Sequence, residues 1–309
     1  ARIPAHLALL RTGPGLDYTP EIPGLSAFDH VIVYLPGPTP LWIDATVPTA
    51  LPGELPIPDL DRNALVISAD TLTVLKTPTV TAAQNQTRET MEVFLATEGP
   101  GRVLETTAGS GPSGIGLRGE YLGVDPKRTR ENLKDYVDRI YKTKEMGRLE
   151  YEGADDLSRP FSLVVEALKS PIARTALSDA AVGANPWPLV EALSNALQPG
   201  KPEEDTSDSG TEPKPSETKK ETPRRSAFQF AAPYSREARW IVHVPQGFAH
   251  DALPASRTLM FGPARLTQTY SDQPDGTIQA VYAFDSGPQR WTAAQVNEAR
   301  TAIKAFGEE

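Results

Sequence analysis

The sequence contains no cysteine among its 309 residues. This absence excludes disulfide bonds, thiolate zinc sites and a cysteine nucleophile within these residues. Histidine is also scarce, and the four histidines are too widely spaced to indicate a metal cluster: His6, His30, His243 and His250. No apolar run approaches the ~18 residues that a membrane-spanning helix needs. Function must therefore be inferred from the pattern of polar and apolar residues.

The chain also lacks an excess of positive charge. The chain has 31 basic and 40 acidic residues, a formal net charge of -9, and no basic block. This balance argues against nucleic acids and anionic membranes as partners. Proline, by contrast, is abundant, since the chain contains 30 of them, which is roughly twice the usual share. Because proline interrupts helices, the composition indicates short strands and loops rather than a helical bundle.

Runs of β-branched and aromatic residues, bounded by proline and glycine, predict short strands along most of the chain. Two segments predict helices. The first covers residues 126–146, with Asp125 as its N-cap and Pro126 as its first helical residue, and the second begins after Thr292. Residues 109–119 are rich in glycine, and residues 111–116 are interpreted as a flexible connection. Together these elements predict an α+β fold.

The composition divides the chain into four segments. Residues 1–76 hold a series of short strand-like runs, and residues 77–199 form the first part of a β-rich module that includes the first helix. Residues 200–226 are predicted to be a disordered insert, because almost all of them are polar, proline or glycine. Residues 227–309 form the second part of the module. We expect the two parts to pack together, because each alone would be a small sheet with exposed edges.

A histidine and an aspartate face each other in a predicted hairpin. If the hairpin turns at Gly37, His30 lies opposite Asp44 and Ile32 lies opposite Trp42. Side chains alternate along a strand, so these four share one face. The opposite face would fill a core with Val31, Val33, Leu41 and Ile43. A carboxylate beside a histidine is the orienting pair of a nucleophilic triad, because it fixes the tautomer and stabilises the imidazolium.

An ordinary cross-strand pair with no catalytic role explains the same two residues. One pair without a nucleophile does not decide between the interpretations, and a register shifted by one residue would separate His30 and Asp44 onto opposite faces. Trp42 has two equally good explanations, one as a wall of the site and one as a packing residue. The spacing alone therefore leaves the role of the pair open.

The residues around the pair resemble the histidine and aspartate strands of transglutaminase-like proteins. The similarity is carried by Phe28-Asp29-His30-Val31-Ile32-Val33, a turn of proline and glycine, and Trp42-Ile43-Asp44-Ala45-Thr46. Residues 52–56 and 62–66 are similar to a bacterial multidomain subgroup, in which a domain of unknown function precedes the core and a β-rich domain follows it. The resemblance is specific over residues 1–76. It is looser over 85–309, where it rests on element order and on Asn185-Pro186-Trp187-Pro188.

This resemblance implies the strand half of a transglutaminase-like core, followed by a β-rich, sandwich-like module with two helices. It also implies a papain-like Cys-His-Asp triad. In that triad His30 is the general base and acid, Asp44 orients it, and Trp42 lines the substrate site. The cysteine would lie upstream of Ala1, so the chain is expected to begin within a domain and to be inactive alone.

The activity implied by the resemblance is acyl transfer or hydrolysis at peptide or glutamine amides. The expected substrate is a protein or peptide, with no cofactor and no metal. Because the resembling proteins are often exported, we expect the periplasm or cell envelope as the location. One alternative is a non-catalytic binding or structural module of the bacterial cell envelope. Another is an unrelated substrate-binding β-sandwich over residues 78–309. It would have a cleft lined by three aromatic side chains: Trp240, Tyr270 and Tyr282. Strand periodicity places Tyr270 and Tyr282 as easily in a core, which is the simpler interpretation.

Overall fold

A computed structural model describes residues 3–13, 15–21, 24–68, 72–198 and 223–308. Within those ranges the chain is an α+β protein with more strands than helices, as the sequence predicts. The predicted disordered insert falls mostly on residues 199–222, which lie outside the described residues. The division into domains stays a prediction.

The first five strands form one antiparallel sheet. They are β1 (His6–Leu10), β2 (His30–Leu35), β3 (Leu41–Ile43), β4 (Asn63–Ile67) and β5 (Leu72–Lys76). Their order across the sheet is β3-β2-β1-β4-β5. One face packs against Leu55 and Leu60 from the proline-rich loop and against Ala232. Because of this packing, one face of the sheet forms a core and the other face is largely exposed.

The register of the β2–β3 hairpin differs from the predicted one by two residues. Tyr34, rather than Ile32, lies opposite Trp42. A shift of two residues keeps every side chain on its face, so His30 and Asp44 still lie on the same side of the sheet.

The buried face is also the opposite of the one predicted. Ile32 and Trp42 are buried, at 1% and 4% exposure, whereas Val31 and Leu41 are exposed. The prediction that the Val31 face fills the core is therefore wrong. The loop that follows β3 folds over the His30 face, and hairpin periodicity alone could not show which face that loop covers.

The remaining strands build a larger sheet and a short ribbon. They are β6 (Gln86–Phe94), β7 (Gly99–Ser110), β8 (Met146–Glu152), β9 (Ser162–Thr175), β10 (Ala180–Val182), β11 (Phe228–Gln229), β12 (Ser235–His243), β13 (Arg257–Phe261), β14 (Ala264–Asp272), β15 (Ile278–Asp285) and β16 (Arg290–Trp291). The main path of the nine-stranded sheet is β10-β9-β7-β6-β12-β15-β14-β13, with β8 paired to β9. Strands β6 and β12 pair in parallel, which joins strands from before and after residues 200–226 in one sheet. Strands β11 and β16 form a separate pair.

The described residues contain four α-helices: α1 (Pro112–Tyr121), α2 (Pro126–Tyr141), α3 (Trp187–Leu197) and α4 (Ala293–Glu308). Helices α2 and α4 begin where the sequence predicts helices, and the Asp125 side chain accepts a hydrogen bond from Lys127 N at the start of α2. Helix α2 ends at Tyr141 rather than at the predicted residue 146, which begins β8. Helices α1 and α3 are additional to the two predicted. None of the helices in the described ranges is long and apolar enough to cross a membrane.

Helix α1 corrects the interpretation of residues 111–116 as a flexible connection. Pro112 occupies its first turn, where a missing N–H is tolerated. The Asn85 side-chain oxygen accepts hydrogen bonds from Ser113 N and Ser113 Oγ, at 2.9 and 2.7 Å. The helix is thus capped by a residue 28 positions away. Local glycine content could not reveal a cap so distant in sequence.

The aromatic residues of the third interpretation lie in and beside the core of the larger sheet. Trp240 and Tyr282 are buried at 7% and 4% exposure. Tyr270 is half-buried, with its ring 6.1 Å from that of Tyr282. All three also border a cavity of about 560 Å³ whose lining is mostly apolar.

Candidate active site

His30 and Asp44 are in direct contact. His30 is the first residue of β2, and Asp44 follows the last residue of β3. The His30 Nε2 atom lies 3.0 Å from Asp44 Oδ2, a hydrogen-bond distance. The His30 side chain is 21% exposed and that of Asp44 is 2% exposed. The buried carboxylate therefore holds one edge of an imidazole that still reaches solvent.

Asp44 is held in place by Thr46. Its Oδ1 atom accepts hydrogen bonds from Thr46 N at 2.9 Å and from Thr46 Oγ1 at 2.7 Å. Burial alone would raise the pKa of Asp44, but the hydrogen bonds from Thr46 and His30 outweigh it and hold this pKa below its ordinary value. Asp44 is thus a carboxylate with one oxygen fixed by Thr46 and the other turned to His30.

This arrangement defines the tautomer of a neutral His30. An ionised carboxylate can only accept a hydrogen bond, so the proton of the 3.0 Å contact belongs to Nε2. The lone pair then lies on Nδ1. No residue in the described part of the chain forms a hydrogen bond with that nitrogen. His30 therefore presents an unoccupied basic nitrogen opposite its anchored edge.

A third residue, Asp59, completes the cluster and was missed by sequence reasoning. It ends the 3-10 helix Ile57–Asp59, and its Oδ2 lies 3.8 Å from His30 Nε2. The side chain is 2% exposed, and Oδ2 has no hydrogen-bond partner among the described residues. Burial raises the pKa of Asp59 to about 7; the positive charge of His30 opposes the rise, and the negative charge of Asp44 adds to it.

The backbone around Asp59 is fixed by Thr77. Thr77 Oγ1 donates to Asp59 O at 2.6 Å and accepts from Arg62 N at 2.8 Å. Asp59 N donates to Pro56 O at 3.0 Å, which closes the turn. These contacts join residues far apart in sequence. The only local signal was a carboxylate within a proline-rich loop, which is too common to indicate a site.

The three side chains can hold a proton or a cation between them. Their ligand atoms lie within 4.8 Å of one another, a spacing compatible with a divalent metal ion. The 3.0 Å contact between His30 and Asp44, however, has the length of a hydrogen bond with the proton in place. A metal ion would have to displace that proton. The geometry therefore favours proton chemistry at this site.

Trp42 is buried, as Asp44 is. It is 4% exposed, belongs to the core of the five-stranded sheet and packs against Tyr34, with ring centres 4.7 Å apart. This is the placement expected of a packing residue. A role for Trp42 in lining a substrate site stays a prediction.

The Thr46 contacts can be tested separately from activity. We expect Thr46→Val to raise the pKa of Asp44 and to lower the free energy of unfolding by about 1 kcal/mol at pH 7. A lowered carboxyl pKa stabilises the fold at pH values above 3.8, the ordinary pKa of this group. That stabilisation is lost as the pH falls through the pKa of the folded state. The difference between the two proteins should therefore vanish in acid. NMR titration of the Asp44 carboxyl carbon and urea unfolding at several pH values measure both effects.

Thr39→Val, in the exposed turn of the same hairpin, is the matched control and should leave the Asp44 titration unchanged. An Asp44 titration in Thr46→Val identical to that of the unaltered chain would contradict the proposed anchoring.

No protein-family model matches the chain, and no curated protein matches it either. Among solved structures, it is similar to the crystal structure of a putative protease from Parabacteroides distasonis, with 13% sequence identity and a TM-score of 0.42. The similarity covers 99% of this chain but 38% of that protein, so this chain spans less than two fifths of its length. At this TM-score the likeness carries no argument about activity.

Proposed function

We propose that His30 and Asp44 are the base and the orienting carboxylate of a cysteine-dependent site that transfers or hydrolyses acyl groups at peptide or glutamine amides, as in transglutaminase-like proteins. The observation that carries this proposal is the 3.0 Å contact between His30 Nε2 and Asp44 Oδ2, made by an aspartate that Thr46 fixes on its other oxygen. This contact directs the basic Nδ1 away from the carboxylate. The same division of roles defines nucleophilic triads.

The proposed reaction uses His30 twice. Nδ1 accepts the thiol proton as the sulfur attacks the amide carbon, and Asp44 stabilises the resulting imidazolium. The imidazolium then gives its proton to the leaving nitrogen, which departs as an amine or ammonia and leaves a thioester. Water or a second amine next attacks the thioester and gives its proton to Nδ1. The carbon–sulfur bond then breaks, and the imidazolium returns the proton to the departing sulfur, which restores the thiol. Water yields hydrolysis, and an amine yields acyl transfer.

The nucleophile must come from outside these 309 residues, because they contain no cysteine. A thiol of this kind has to approach Nδ1 within about 2.6–3.2 Å. The edge of His30 that carries Nδ1 is the one free of the Asp44 contact.

The test compares the 309-residue chain with the polypeptide encoded by the complete reading frame. Two assays are needed: release of a fluorophore from a peptide amide, and incorporation of a fluorescent primary amine into a glutamine-containing protein. We expect the 309-residue chain to be inactive in both and the complete polypeptide to be active in at least one. We also expect iodoacetamide to abolish that activity, because alkylation removes the nucleophile.

Three results would contradict the proposal. The first is activity of the 309-residue chain alone, and the second is activity that iodoacetamide does not affect. The third is the absence of any cysteine from an inactive complete polypeptide, which would favour the alternative of a non-catalytic binding or structural module.

A further inference from the structure

A separate cavity lies between the nine-stranded sheet and helices α1 and α2. Its volume is about 420 Å³, which falls within the range of small-molecule sites. We call it the Glu105 pocket and define it by six of its lining residues: Glu89, Glu105, Glu120, Tyr121, Thr129 and Tyr136. Its walls are completed by leucine side chains and by Thr107, Val124 and Asn132. None of these residues belongs to the site around His30.

Glu105 is a buried carboxylate without a cation. It is 4% exposed. Its oxygens accept hydrogen bonds from Tyr136 Oη at 2.9 and 2.8 Å, from Tyr141 Oη at 2.6 Å and from Thr107 Oγ1 at 3.0 Å. No basic side chain in the described ranges forms an ion pair with it. Buried carboxylates are normally paired with a positive charge. The three hydroxyl groups that donate to Glu105 are neutral, so they do not compensate the charge of its ionised form.

The other carboxylates add to the negative charge of the pocket. Glu120 is exposed at the edge, and no described side chain forms an ion pair with it. Glu89 pairs with Arg236 at 3.3 Å, so its charge is partly compensated. Burial raises the pKa of Glu105, and Glu89 raises it further, while the hydroxyls of Tyr141 and Tyr136 lower it. The pocket thus brings three carboxyl groups together, and among the described residues only Glu89 has a basic partner.

Thr129 supplies an independent indication of a ligand. It lies in α2, is 4% exposed and lines the pocket. Its Oγ1 is buried with no hydrogen-bond partner among the described residues. A buried hydroxyl without a partner is costly, and a donor group in the pocket would satisfy it.

We propose that the Glu105 pocket binds a small organic cation, a primary ammonium group on an apolar stem. The ammonium donates hydrogen bonds to Glu105 and Thr129, and the rings of Tyr121 and Tyr136 contact the charge and the stem. Aromatic walls attract cations, and leucines accommodate a hydrocarbon chain. A bare metal ion fits less well, because the ligand-atom cluster suited to a metal in the described chain is the one at His30.

Isothermal titration of the full chain with n-pentylammonium chloride tests this proposal. We expect saturable binding, with n-pentanol, the uncharged counterpart, binding at least about tenfold more weakly because it lacks the charge. Glu105→Gln keeps the shape of the side chain and should weaken ammonium binding about tenfold. Glu150→Gln, which removes the same charge from an exposed position on β8, is the matched control and should change nothing.

Glu120→Gln and Thr129→Val test the same pocket if Glu105→Gln does not fold. Glu120 is exposed, so its substitution leaves the core intact, and each variant is expected to weaken binding about threefold. The proposal is overturned if the unaltered chain shows no saturable ammonium binding, or if pentanol binds equally well. It is also overturned if calcium chloride binds in place of the ammonium, or if binding persists unchanged in Glu105→Gln. Where that variant does not fold, unchanged binding in both of the other two overturns the proposal.

Discussion

His30→Ala in the polypeptide encoded by the complete reading frame is expected to lower kcat on an amide substrate by about 10³-fold, because it removes the group that accepts and returns the proton. KM should change little, since His30 contributes proton transfer rather than substrate binding. Initial rates of amide cleavage and amine incorporation measure both constants. The alkylation rate of the nucleophilic thiol should fall as well, because the base that activates it is gone.

Asp44→Asn should lower kcat less, by about 10²-fold, the lower end of the usual range for general acid–base catalysis, because a minor tautomer of His30 still provides the base. The reason follows from the hydrogen bonds. Thr46 donates two hydrogen bonds to Oδ1 of Asp44. An asparagine would keep its carbonyl oxygen at that position and turn its NH₂ toward Nε2 of His30. That donor favours the tautomer with the proton on Nδ1, which leaves no lone pair there for the thiol.

The tautomer change can be observed directly by ¹⁵N NMR of the 309-residue chain. We expect the proton to reside on Nε2 in the unaltered chain and on Nδ1 in Asp44→Asn. Asp138→Asn, an exposed substitution on α2, serves as the control for charge. Equal rates in His30→Ala, Asp44→Asn and the unaltered complete polypeptide would show that the pair is structural and that the proposed function is wrong.

The sequence predicted contact between His30 and Asp44 but not its details. Alternation along two short strands was sufficient to place both residues on one face, and that conclusion survives the two-residue change in register. Which face is buried depended on Leu55 and Leu60, whose loop covers the His30 side of the sheet. A strand pattern holds no information about the loop that will cover it.

Asp59 and Glu105 show more strongly what the sequence alone could not predict. Asp59 reaches His30 through a 3-10 turn that Thr77 fixes from 18 residues away. Glu105 occupies an ordinary position in β7, and its importance comes from hydroxyls on α2, 31 and 36 residues later in the chain. Both carboxylates acquire their properties from burial and long-range contacts. Neither belongs to a local motif that sequence spacing could identify.

Asp59→Asn is expected to change how stability depends on pH. In the folded chain the pKa of Asp59 is raised from 3.8 to about 7, because its burial disfavours the charged form. Between those values the folded state holds a proton that the unfolded state has released. Stability from this residue is therefore complete below pH 4 and is lost as the pH rises through about 7, with a limiting slope of about 1.4 kcal/mol per pH unit.

Asparagine stays neutral, so the variant should lack this loss. We expect Asp59→Asn to be about 4 kcal/mol more stable than the unaltered chain at pH 8 and close to it at pH 4. Asp44 does not obscure the comparison, because its lowered pKa makes stability depend on pH only below 3.8, the ordinary pKa of this group. Urea unfolding at pH 4, 6 and 8 measures the difference, with Asp138→Asn as the exposed control. If the unaltered chain were as stable as Asp59→Asn at pH 8, Asp59 would be ionised at no cost, and its carboxylate would have to be paired with a protonated His30.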